Sequence, residues 1–546
     1  MTAAFVRQLG AESGVQLNPL RDDSEVPGQG NADQVFGIIM RASRGRIDKP
    51  FVVDKSNVYT KLGNGEQIRV SALNEAWVHV VEALNKGAYE CVVQRLVTDE
   101  AKVKWAAVKP VEDGTGFTFE VSEEEPSGCL FAVKHLECFN DGIKIAFHAE
   151  DEEVDGEDAD QAVITLRILD KDDNKLYEFT GSLNKNAVDD FGNSYWLPDV
   201  VAGQTDCVEV KVGVTPEKAV VAAGSDAYGW DENGEMKWAE SDVLVCFEEG
   251  STAYSTQNYI KARENLENSP NDFAYISSGG TQAPALLAQL ALLAFNTNRQ
   301  LRFDVPGNLT PEAAIAFVKQ LNMGAKKCSH LLQAFWCPCK SDDPTGVNPK
   351  GYFGVATLNI ALACARNAEK NAKGFSPKNY PIAGRDYPID RERIEQTYSP
   401  RSQEYNALAK AKINPCVYES YTGGGRYVFR DSITCALVDQ SLRKLIAVAD
   451  MSTSVDDAVT RAAKDYLQKP MKVAVQKMKD FLRDYFAAAE ASDWLVPSDD
   501  PQMGGKAYVY DVRPNEAKPY DTMDVRYWVR YDGTARQIFV TQTLTR

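Results

Sequence analysis

The sequence has few residues that commonly catalyse reactions and none of the familiar catalytic motifs. Only four histidines occur among its 546 residues: His79, His135, His148 and His330. No His-Glu-x-x-His pair, P-loop, nucleophile elbow or dinucleotide fingerprint is present. The run 423–425, GGG, lacks the Lys-Ser/Thr of a phosphate loop and predicts a turn between strands. We therefore expect no enzyme activity, no catalytic residues and no cofactor.

The sequence also lacks a positive net charge and long hydrophobic runs. A formal net charge of -18 argues against nucleic acid as a partner, because phosphate binding requires a basic face. No apolar run reaches the roughly 18 residues of a membrane span, and the first residues show no secretory signal pattern. Eleven cysteines, an odd number, favour reduced thiols in a cytoplasm. We expect neither nucleic-acid binding nor membrane insertion.

What is present is the composition of a globular protein. Hydrophobic residues make up 44% and charged residues 25%, and the length exceeds what one ordinary core accommodates, so we expect two to four domains. We predict a mixed α/β (α+β) fold with a discontinuous α/β core. The predicted regions are an N-terminal arm at 1–33, a first core segment at 34–97, an inserted β-rich domain at 98–265, a second core segment at 266–515, and a C-terminal strand arm at 516–546.

These boundaries come from changes in the hydrophobic pattern. Residues 1–33 contain chain-breaking prolines and glycines and few large apolar side chains, which predicts an extended arm, with simple disorder as the alternative. Residues 35–97 have the pattern of strand, helix and strand, which is typical of an α/β unit. Residues 98–254 change to short alternating segments between turns, which predicts strands. Helices return after 276, and the pattern that follows predicts a strand at 329–336 and a long Ala-rich helix at 353–371.

The insertion carries a strongly acidic stretch at 150–160, which we interpret as a solvated loop. A calcium site is the alternative, because Asp170, Asp172 and Asn174 have the spacing of a calcium loop. However, Lys175 and Gly181 stand where such a loop needs a glycine and a bidentate glutamate. The spacing therefore favours a turn.

Four soft ligands within twelve residues raise the question of zinc: Cys328, His330, Cys337 and Cys339. Their C-x-H and C-x-C spacings are not the usual ones, and alternate positions on a strand do not close a tetrahedron. Buried free thiols are the simpler interpretation, and we predict no metal.

Near the C-terminus, 454–457 predicts a capped helix start, and Pro470 is expected to kink or divide the helical run that follows. One face of this run is apolar, and the other is basic: Arg461, Lys464, Lys469, Lys472, Lys477, Lys479 and Arg483. It predicts either a solvated face paired with nearby aspartates or a docking surface for an acidic partner.

The last residues predict a hairpin. Val525, Tyr527, Val529 and Tyr531 alternate with polar or aromatic positions, Asp532-Gly533 predicts a turn, and the second predicted strand runs through Ile538, Val540 and Leu544. Such a hairpin either docks on its own domain or lends its edge to another chain by strand addition.

An ordered series of motifs resembles the contractile tail sheath proteins of bacteriophages and related contractile injection machines. The N-terminal segments 36–38, FGI, and 45–50, GRIDKP, are similar to the family's opening strand and turn, with Arg46 replacing the usual first proline. The rest of the series is 351–356, GYFGVA; 375–384, FSPKNYPIAG; 404–409, EYNALA; 412–415, KINP; and 427–434, YVFRDSIT. The resemblance spans about 35–97 and 270–546, and the middle matches nothing.

The resemblance implies a structural subunit of a virion tail, assembled in the cytoplasm of the infected bacterium. Subunits of the family stack as hexameric rings around a tail tube and contract to drive the tube through the host envelope. Terminal arms pair with neighbouring subunits, and the implied partners are the same chain, the tube protein, and baseplate and terminator proteins. We assign strand pairing between subunits to the hairpin residues above, and contact with the tube to Lys464, Lys472 and Lys479.

Other classes stay open at this point. The same sheath could belong to a headless tail-like particle, and an α/β enzyme or a monomeric adhesin that uses the β-rich insertion are further alternatives. Helical tubes in negative-stain micrographs distinguish a sheath from both of the last two.

Overall fold

The computed structural model describes residues 32–110, 117–149, 163–189, 191–213, 229–230 and 236–543. The predictions for 1–31, for the acidic stretch 150–160 and for Leu544 lie outside this range. Within it the predicted mixed α/β fold is confirmed, with several sheets and helices on both faces of the largest.

The strands are numbered in chain order. Up to the insertion they are β1 (Val35–Met40), β2 (Phe51–Asp54) and β3 (Glu90–Arg95). In the insertion they are β4 (Lys102–Val103), β5 (Trp105–Pro110), β6 (Phe117–Ser122), β7 (Phe131–His135), β8 (Ile143–Ala149), β9 (Val163–Asp170), β10 (Lys175–Ser182), β11 (Val208–Val212), β12 (Gly229–Trp230), β13 (Met236–Lys237), β14 (Ala239–Glu240) and β15 (Phe247–Glu248). After it they are β16 (Tyr275–Ser277), β17 (Gln300–Val305), β18 (Leu332–Trp336), β19 (Cys339–Lys340), β20 (Glu395–Gln396), β21 (Ile413–Tyr421), β22 (Gly424–Phe429), β23 (Tyr508–Pro514) and β24 (Met523–Val529).

The α-helices of the described residues are numbered in the same way. They are α1 (Val58–Leu62), α2 (Glu75–Lys86), α3 (Leu197–Gln204), α4 (Thr256–Glu267), α5 (Pro284–Thr297), α6 (Pro311–Leu321), α7 (Ala356–Ala368), α8 (Ser402–Lys410), α9 (Ile446–Asp465) and α10 (Met471–Glu490).

The main sheet has eight strands in the order β2-β3-β1-β16-β17-β18-β21-β22. Strands β3 to β21 of this order are parallel to their neighbours, and the antiparallel strands β2 and β22 close the two edges. Helices α2 and α7 cover one face, and α4, α5 and α6 cover the other. Because both faces are covered, β1, β17 and β18 are buried along their whole length.

The insertion folds around a core of its own. Two four-stranded antiparallel sheets, β10-β9-β8-β14 and β11-β7-β5-β6, face each other across an apolar layer that includes Phe131, Phe147 and Leu166. The short helix α3 also packs there. Helix α4 begins inside the predicted insertion range 98–265 and ends two residues beyond it, and it packs on β1 and β3 of the main sheet.

Ionic contacts fasten the insertion to the main sheet. After β1 the core presents Arg41, Arg44 and Arg46, which are all buried. Arg41 Nη2 donates to Glu249 at 2.8 Å, Arg44 Nε to Asp141 at 3.0 Å, and Arg46 Nη1 to Asp206 at 2.9 Å. Residues 98–255 carry 36 Asp and Glu against 12 Lys and Arg, a net charge of -24, whereas the whole chain carries -18. The remaining residues therefore carry a slightly positive net charge. The insertion and the rest of the chain thus have net charges of opposite sign, which favours the ionic contacts between them.

The C-terminal unit consists of α9, α10, β23 and β24 around a separate apolar core that includes Met451, Met478, Leu482 and Phe486. Pro470 separates α9 from α10, as predicted. The predicted helix start at 454–457 is wrong, because α9 begins at Ile446 and these residues lie inside it. Asp456 and Asp457 bind Asn298 and Arg299 at the start of β17 instead of capping the helix.

Two further predicted boundaries change in the structure. The strand predicted at 329–336 begins only at Leu332, because 329–331 form a 3-10 turn. The helix predicted at 353–371 is limited to Ala356–Ala368. Its start is fixed by Asp304 Oδ1, which accepts hydrogen bonds from the backbone N–H groups of Val355 at 2.6 Å and Ala356 at 2.9 Å.

Candidate functional site at the C-terminal end

The C-terminal hairpin is built from other residues than the sequence predicts. Strand β24 pairs in antiparallel register with β23, from Tyr508 opposite Val529 to Pro514 opposite Met523. The loop between them is closed by Asn515, whose Oδ1 accepts from the backbone N–H groups of Ala517 and Lys518, both at 3.0 Å. The prediction that 525–531 pairs with a strand at 538–544 is therefore wrong.

The predicted turn at Asp532-Gly533 does not reverse the chain. Tyr531 bridges Leu495, and Asp532 N donates to the carbonyl of Trp494 at 3.1 Å, so the chain continues along the body. The described residues 533–543 form no strand, which places Ile538 and Val540 outside any sheet. Their apolar character suits a strand, but among the described residues no strand of the same chain pairs with them.

The alternation predicted for β24 is confirmed. Val525, Tyr527 and Val529 pack on the C-terminal core, and the ring centroid of Tyr527 lies 5.4 Å from that of Phe486. Tyr527 Oη donates to Asp456 Oδ1 at 2.5 Å. The opposite face is exposed, including Trp528 at 47%. The side chains of one face thus hold the hairpin on its own domain, while its backbone edges are not involved in this docking.

Both edges of this hairpin are open. Across the residues that the structure describes, β23 and β24 have only each other as strand neighbours. Contacts with 494–496 begin only at Arg530, beyond the end of β24. An open edge presents unpaired N–H and C=O groups, which makes it a template for strand addition.

The segment after the hairpin, which we call the C-terminal arm, comprises the described residues 533–543. Ile538, Phe539 and Val540 are 80%, 89% and 89% exposed. Three consecutive large apolar side chains in water are unfavourable, because burying each stabilises by about 1.5–3 kcal/mol. The arm therefore combines strand-forming residues with apolar surface that the described part of its own chain leaves uncovered.

The end of α9 and the start of α10 form a tip, which we call the basic tip. It presents exposed lysines without ion partners among the described residues. Lys464, Lys472 and Lys479 are exposed, and none of them forms an ion pair with any described residue. Arg483 occupies the nearby Asp480 and Asp484 instead. Leu467, at the turn between the helices, is 68% exposed. The local pairing that would make this a self-contained solvated face is therefore absent at these lysines.

Motif residues of the resemblance form hydrogen bonds within the main-sheet unit and, at one point, between it and the C-terminal unit. Lys378 Nζ donates to Asp33 Oδ1 at 2.6 Å, and Trp494 Nε1 donates to the carbonyl of Ser376 at 2.8 Å. Asn414 Nδ2 donates to the carbonyls of Ala334 and Ile433 at 3.0 and 2.8 Å. These side chains serve structure rather than chemistry.

A buried ionic network that the sequence did not reveal joins α9 to the main sheet. Arg366 Nη2 lies 3.0 Å and Arg302 Nη2 3.5 Å from the carboxylate of Asp450, and all three side chains are at most 2% exposed. Burial by itself raises the pKa of Asp450, but the two guanidinium groups outweigh it and lower that pKa below its ordinary value. Asp450 is thus held ionised between them.

The cleft between the main sheet and the C-terminal unit, with a volume of about 850 Å³, is lined by ionic groups that mostly pair with one another. Arg299 binds Asp272 at 2.9 Å and Asp457 at 3.0 Å, and Lys378 binds Asp33. The arrangement joins the two units, and Lys378 Nζ also donates to the hydroxyl of Ser454 on α9.

The residues considered for metal binding are not gathered in one place. Cys328 packs on one face of the main sheet and Cys337 and Cys339 on the other, while His330 Nδ1 contacts Arg443 at 3.2 Å. Asp170 accepts the backbone N–H groups of Asp172 and Asn174, both at 2.9 Å, as in a tight turn. Among the described residues, no group of three or more His, Cys, Asp or Glu is arranged to hold a metal ion.

Within the described range, no helix combines the length and the apolar character of a membrane span.

Comparisons with known proteins give structural neighbours only. No protein-family model and no curated protein matches the sequence. The sheath tail protein of Desulfitobacterium hafniense is similar in structure, with 13% sequence identity, a TM-score of 0.47, and coverage of 94% of this chain and 100% of that chain.

Two assemblies also contain similar chains. One is the anti-feeding prophage baseplate, with 11% identity, a TM-score of 0.40 and coverage of 56% of this chain and 78% of that chain. The other is the sheath complex of PVC, an extracellular contractile injection system, in its contracted state. It has 14% identity, a TM-score of 0.40 and coverage of 52% of this chain and 75% of that chain.

Proposed function

We propose that the protein is the structural subunit of a contractile tail sheath, in a phage virion or in a headless tail-like particle. Its copies stack as hexameric rings around a tail tube, and the lattice shortens to drive the tube through a bacterial envelope. The energy is stored in subunit packing during assembly, so no nucleotide site is required. Assembly takes place in the cytoplasm of the host bacterium.

One observation carries the proposal: the chain has both halves of a strand-addition joint, an acceptor hairpin and a donor segment. Within the described residues, these two halves do not pair with each other. The hairpin β23–β24 offers two open edges, and the C-terminal arm offers an exposed apolar strand. A chain that pairs its arm with the hairpin of a second copy covers both at once. Repeated from copy to copy, this joint is heterologous and links the copies into closed rings or open helices.

The pattern of the arm fits such a joint. Side chains alternate between the faces of a strand, so Ile538 and Val540 share one face and Phe539 takes the other. Beside the hairpin, one apolar face can extend the layer that Tyr527 and Val529 form on the C-terminal core. The acceptor hairpin is then fixed to its own domain by Val525, Tyr527, Val529 and Tyr531. The donor strand of the second copy contains Ile538, Val540 and Leu544.

The insertion is suited to face away from the contacts between subunits. Its net charge of -24 makes the insertions of neighbouring copies repel one another at close range. Its polar surface therefore favours solvent over self-association. This orientation leaves the main sheet and the C-terminal unit to form the lattice.

Attachment to the tube is assigned to the basic tip. Lys464, Lys472 and Lys479 are exposed without described ion partners, and Leu467 adds an apolar contact at the same place. Such a surface fits an acidic partner, with charge governing association rate and specificity. Baseplate and terminator proteins complete the set of expected partners.

Negative-stain microscopy of the purified protein tests the proposal. We expect helical tubes of uniform diameter, and we expect a variant without Gly533 to Arg546 to remain a folded, discrete particle. Circular dichroism and thermal unfolding of the variant serve as the folding control, because the described arm residues lie outside the hydrophobic cores. Discrete particles from the full chain under all conditions, or ordered tubes from the truncated chain, would refute the proposal.

A further inference from the structure

The C-terminal arm is fastened to the body at one side chain. Arg536 Nε donates to Asp431 Oδ1 at 2.7 Å, and Arg536 Nη2 donates to the other carboxylate oxygen. Within the described structure, Gly533 N donates to the adjacent Asp532, and the other hydrogen bonds from 533–543 to the body come from Arg536. The pair is bidentate and mostly buried, with 19% of the arginine and 16% of the aspartate side chain exposed.

Burial along the arm changes at this residue. Asp532, Thr534 and Arg536 are partly buried and alternate with exposed Gly533 and Ala535. This period of two indicates an extended segment with one side against the body. From Gln537 to Thr543 every residue is exposed. Arg536 therefore divides the arm into a docked root and a free donor segment.

The aspartate belongs to another unit than the hairpin. Asp431 follows β22, the edge strand of the main sheet, and its Oδ1 also accepts the backbone N–H of Ser432 at 2.8 Å. Burial lowers the pKa of the neighbouring Lys444, and the positive charges of Arg536 and Lys412 lower it further. The ion pair thus holds the arm, which starts at the C-terminal unit, against the edge of the main sheet.

We infer that Arg536 is a positioning residue that, through Asp431, fixes where and in which direction the donor segment leaves the subunit. The inference rests on the proposed function, because it concerns how the arm reaches the hairpin of a second copy. Seven described residues follow Arg536 and span at most about 25 Å when extended, against about 40 Å for the eleven from Gly533. Fixing the root narrows the volume that the donor explores and raises its effective concentration at one neighbour.

The pair can be tested by exchanging its charges. Arg536→Asp and Asp431→Arg each place like charges together, and we expect each to raise the critical concentration for tube formation about tenfold. The double variant R536D/D431R restores the pair and should return the value to within about threefold of the unmodified chain. Arg385→Asp makes the same charge change at an exposed position and should leave the critical concentration for tube formation unchanged.

Limited proteolysis of the monomers supplies a readout independent of polymerisation. Cleavage within 532–537 by a protease of broad specificity should be faster in D431R than in the unmodified chain and recover in the double variant. If a charge reversal unfolds the protein, Arg536→Gln and Asp431→Asn replace it and should produce the same effects at smaller size.

The outcomes separate this inference from the proposed function. Normal tubes from the chain lacking Gly533 to Arg546 would contradict the proposed function itself. Loss of tubes on that deletion, together with an unchanged critical concentration for R536D, would overturn the role of Arg536 alone. Failure of the folded double variant to recover would do the same, because the effect would then not arise from the pair.

Discussion

The eight-stranded main sheet and the two-stranded hairpin differ in how their hydrogen bonds are satisfied. In the main sheet the six inner strands have a neighbour on each side and helices on both faces, so its polar backbone and apolar side chains are covered by the same chain. In the hairpin each strand has one neighbour among the described residues, and an exposed apolar segment follows it. The first region supplies stability, and under the proposed function the second supplies a joint that a further copy completes.

The largest effect should come from the donor segment. We expect the double change Ile538→Asp and Val540→Asp to abolish tube formation, because charged side chains cannot be buried beside an acceptor hairpin without a large penalty. Thermal unfolding of the monomer should not shift. Sedimentation and microscopy measure assembly, and the matched variant I538V/V540I should polymerise normally. Tubes from the aspartate variant would contradict the claim that the hairpin and its arm, unlike the main sheet, form the joint between copies.

A substitution in the buried ionic network of the main sheet should instead lower stability and leave assembly intact. Asp450→Asn leaves Arg302 and Arg366 buried without their anionic partner, and we expect the free energy of unfolding to fall by about 3–5 kcal/mol. Urea denaturation measures it, and the folded fraction should still polymerise. Asp480→Asn on the exposed face of α10 is the control and should change the value by less than about 0.5 kcal/mol. An equally small change in D450N would show that the buried network is not stabilising.

The same network predicts a pH dependence. Because the pKa of Asp450 is lowered in the folded protein, its contribution is complete above the ordinary aspartate pKa and is lost as pH falls through the lowered folded value. Urea unfolding from neutral pH down to about pH 3 should therefore show a steeper acid loss in the unmodified chain than in D450N. Parallel curves would assign the acid sensitivity to other carboxylates.

A smaller effect is expected at the basic tip. Changing Lys464, Lys472 and Lys479 to Glu should leave unfolding and self-assembly nearly unchanged, because these side chains have no described ion partners. Binding to isolated tail tubes should weaken about tenfold or more, with a loss of salt dependence. Co-sedimentation with tubes measures it, and Lys→Arg at the same positions is the control. Unweakened tube binding would place the attachment surface elsewhere.

Sequence patterns predicted the regions where periodicity and capping decide structure locally. The alternation of β24 and the break at Pro470 follow from side-chain direction and from the missing proline N–H. The hairpin partner was predicted wrongly because Asp532-Gly533 has the residues of a tight turn. The distant contact of Tyr531 with Leu495 overrides that preference, and nothing in the local sequence indicates it.

Long-range ionic contacts were equally hidden. Arg536 and Asp431 are 105 residues apart, and Asp450 is 148 residues from Arg302, so no spacing rule connects them. Each looks like an ordinary surface charge in the sequence, and only the packing of α9 and the path of the arm bring the partners together. Strand β23 was missed as the partner of β24 for the same reason, since the pairing of two strands depends on the fold of the whole chain.

The most direct measurement places a photo-crosslinking residue at position 539 in assembled protein prepared from isotopically light and heavy chains. We expect crosslinks between light and heavy chains, from position 539 of one copy to 508–514 or 523–529 of another. Crosslinks confined to a single chain, or intermolecular crosslinks that avoid both hairpin strands, would contradict the claim that the arm completes the hairpin of a neighbouring copy.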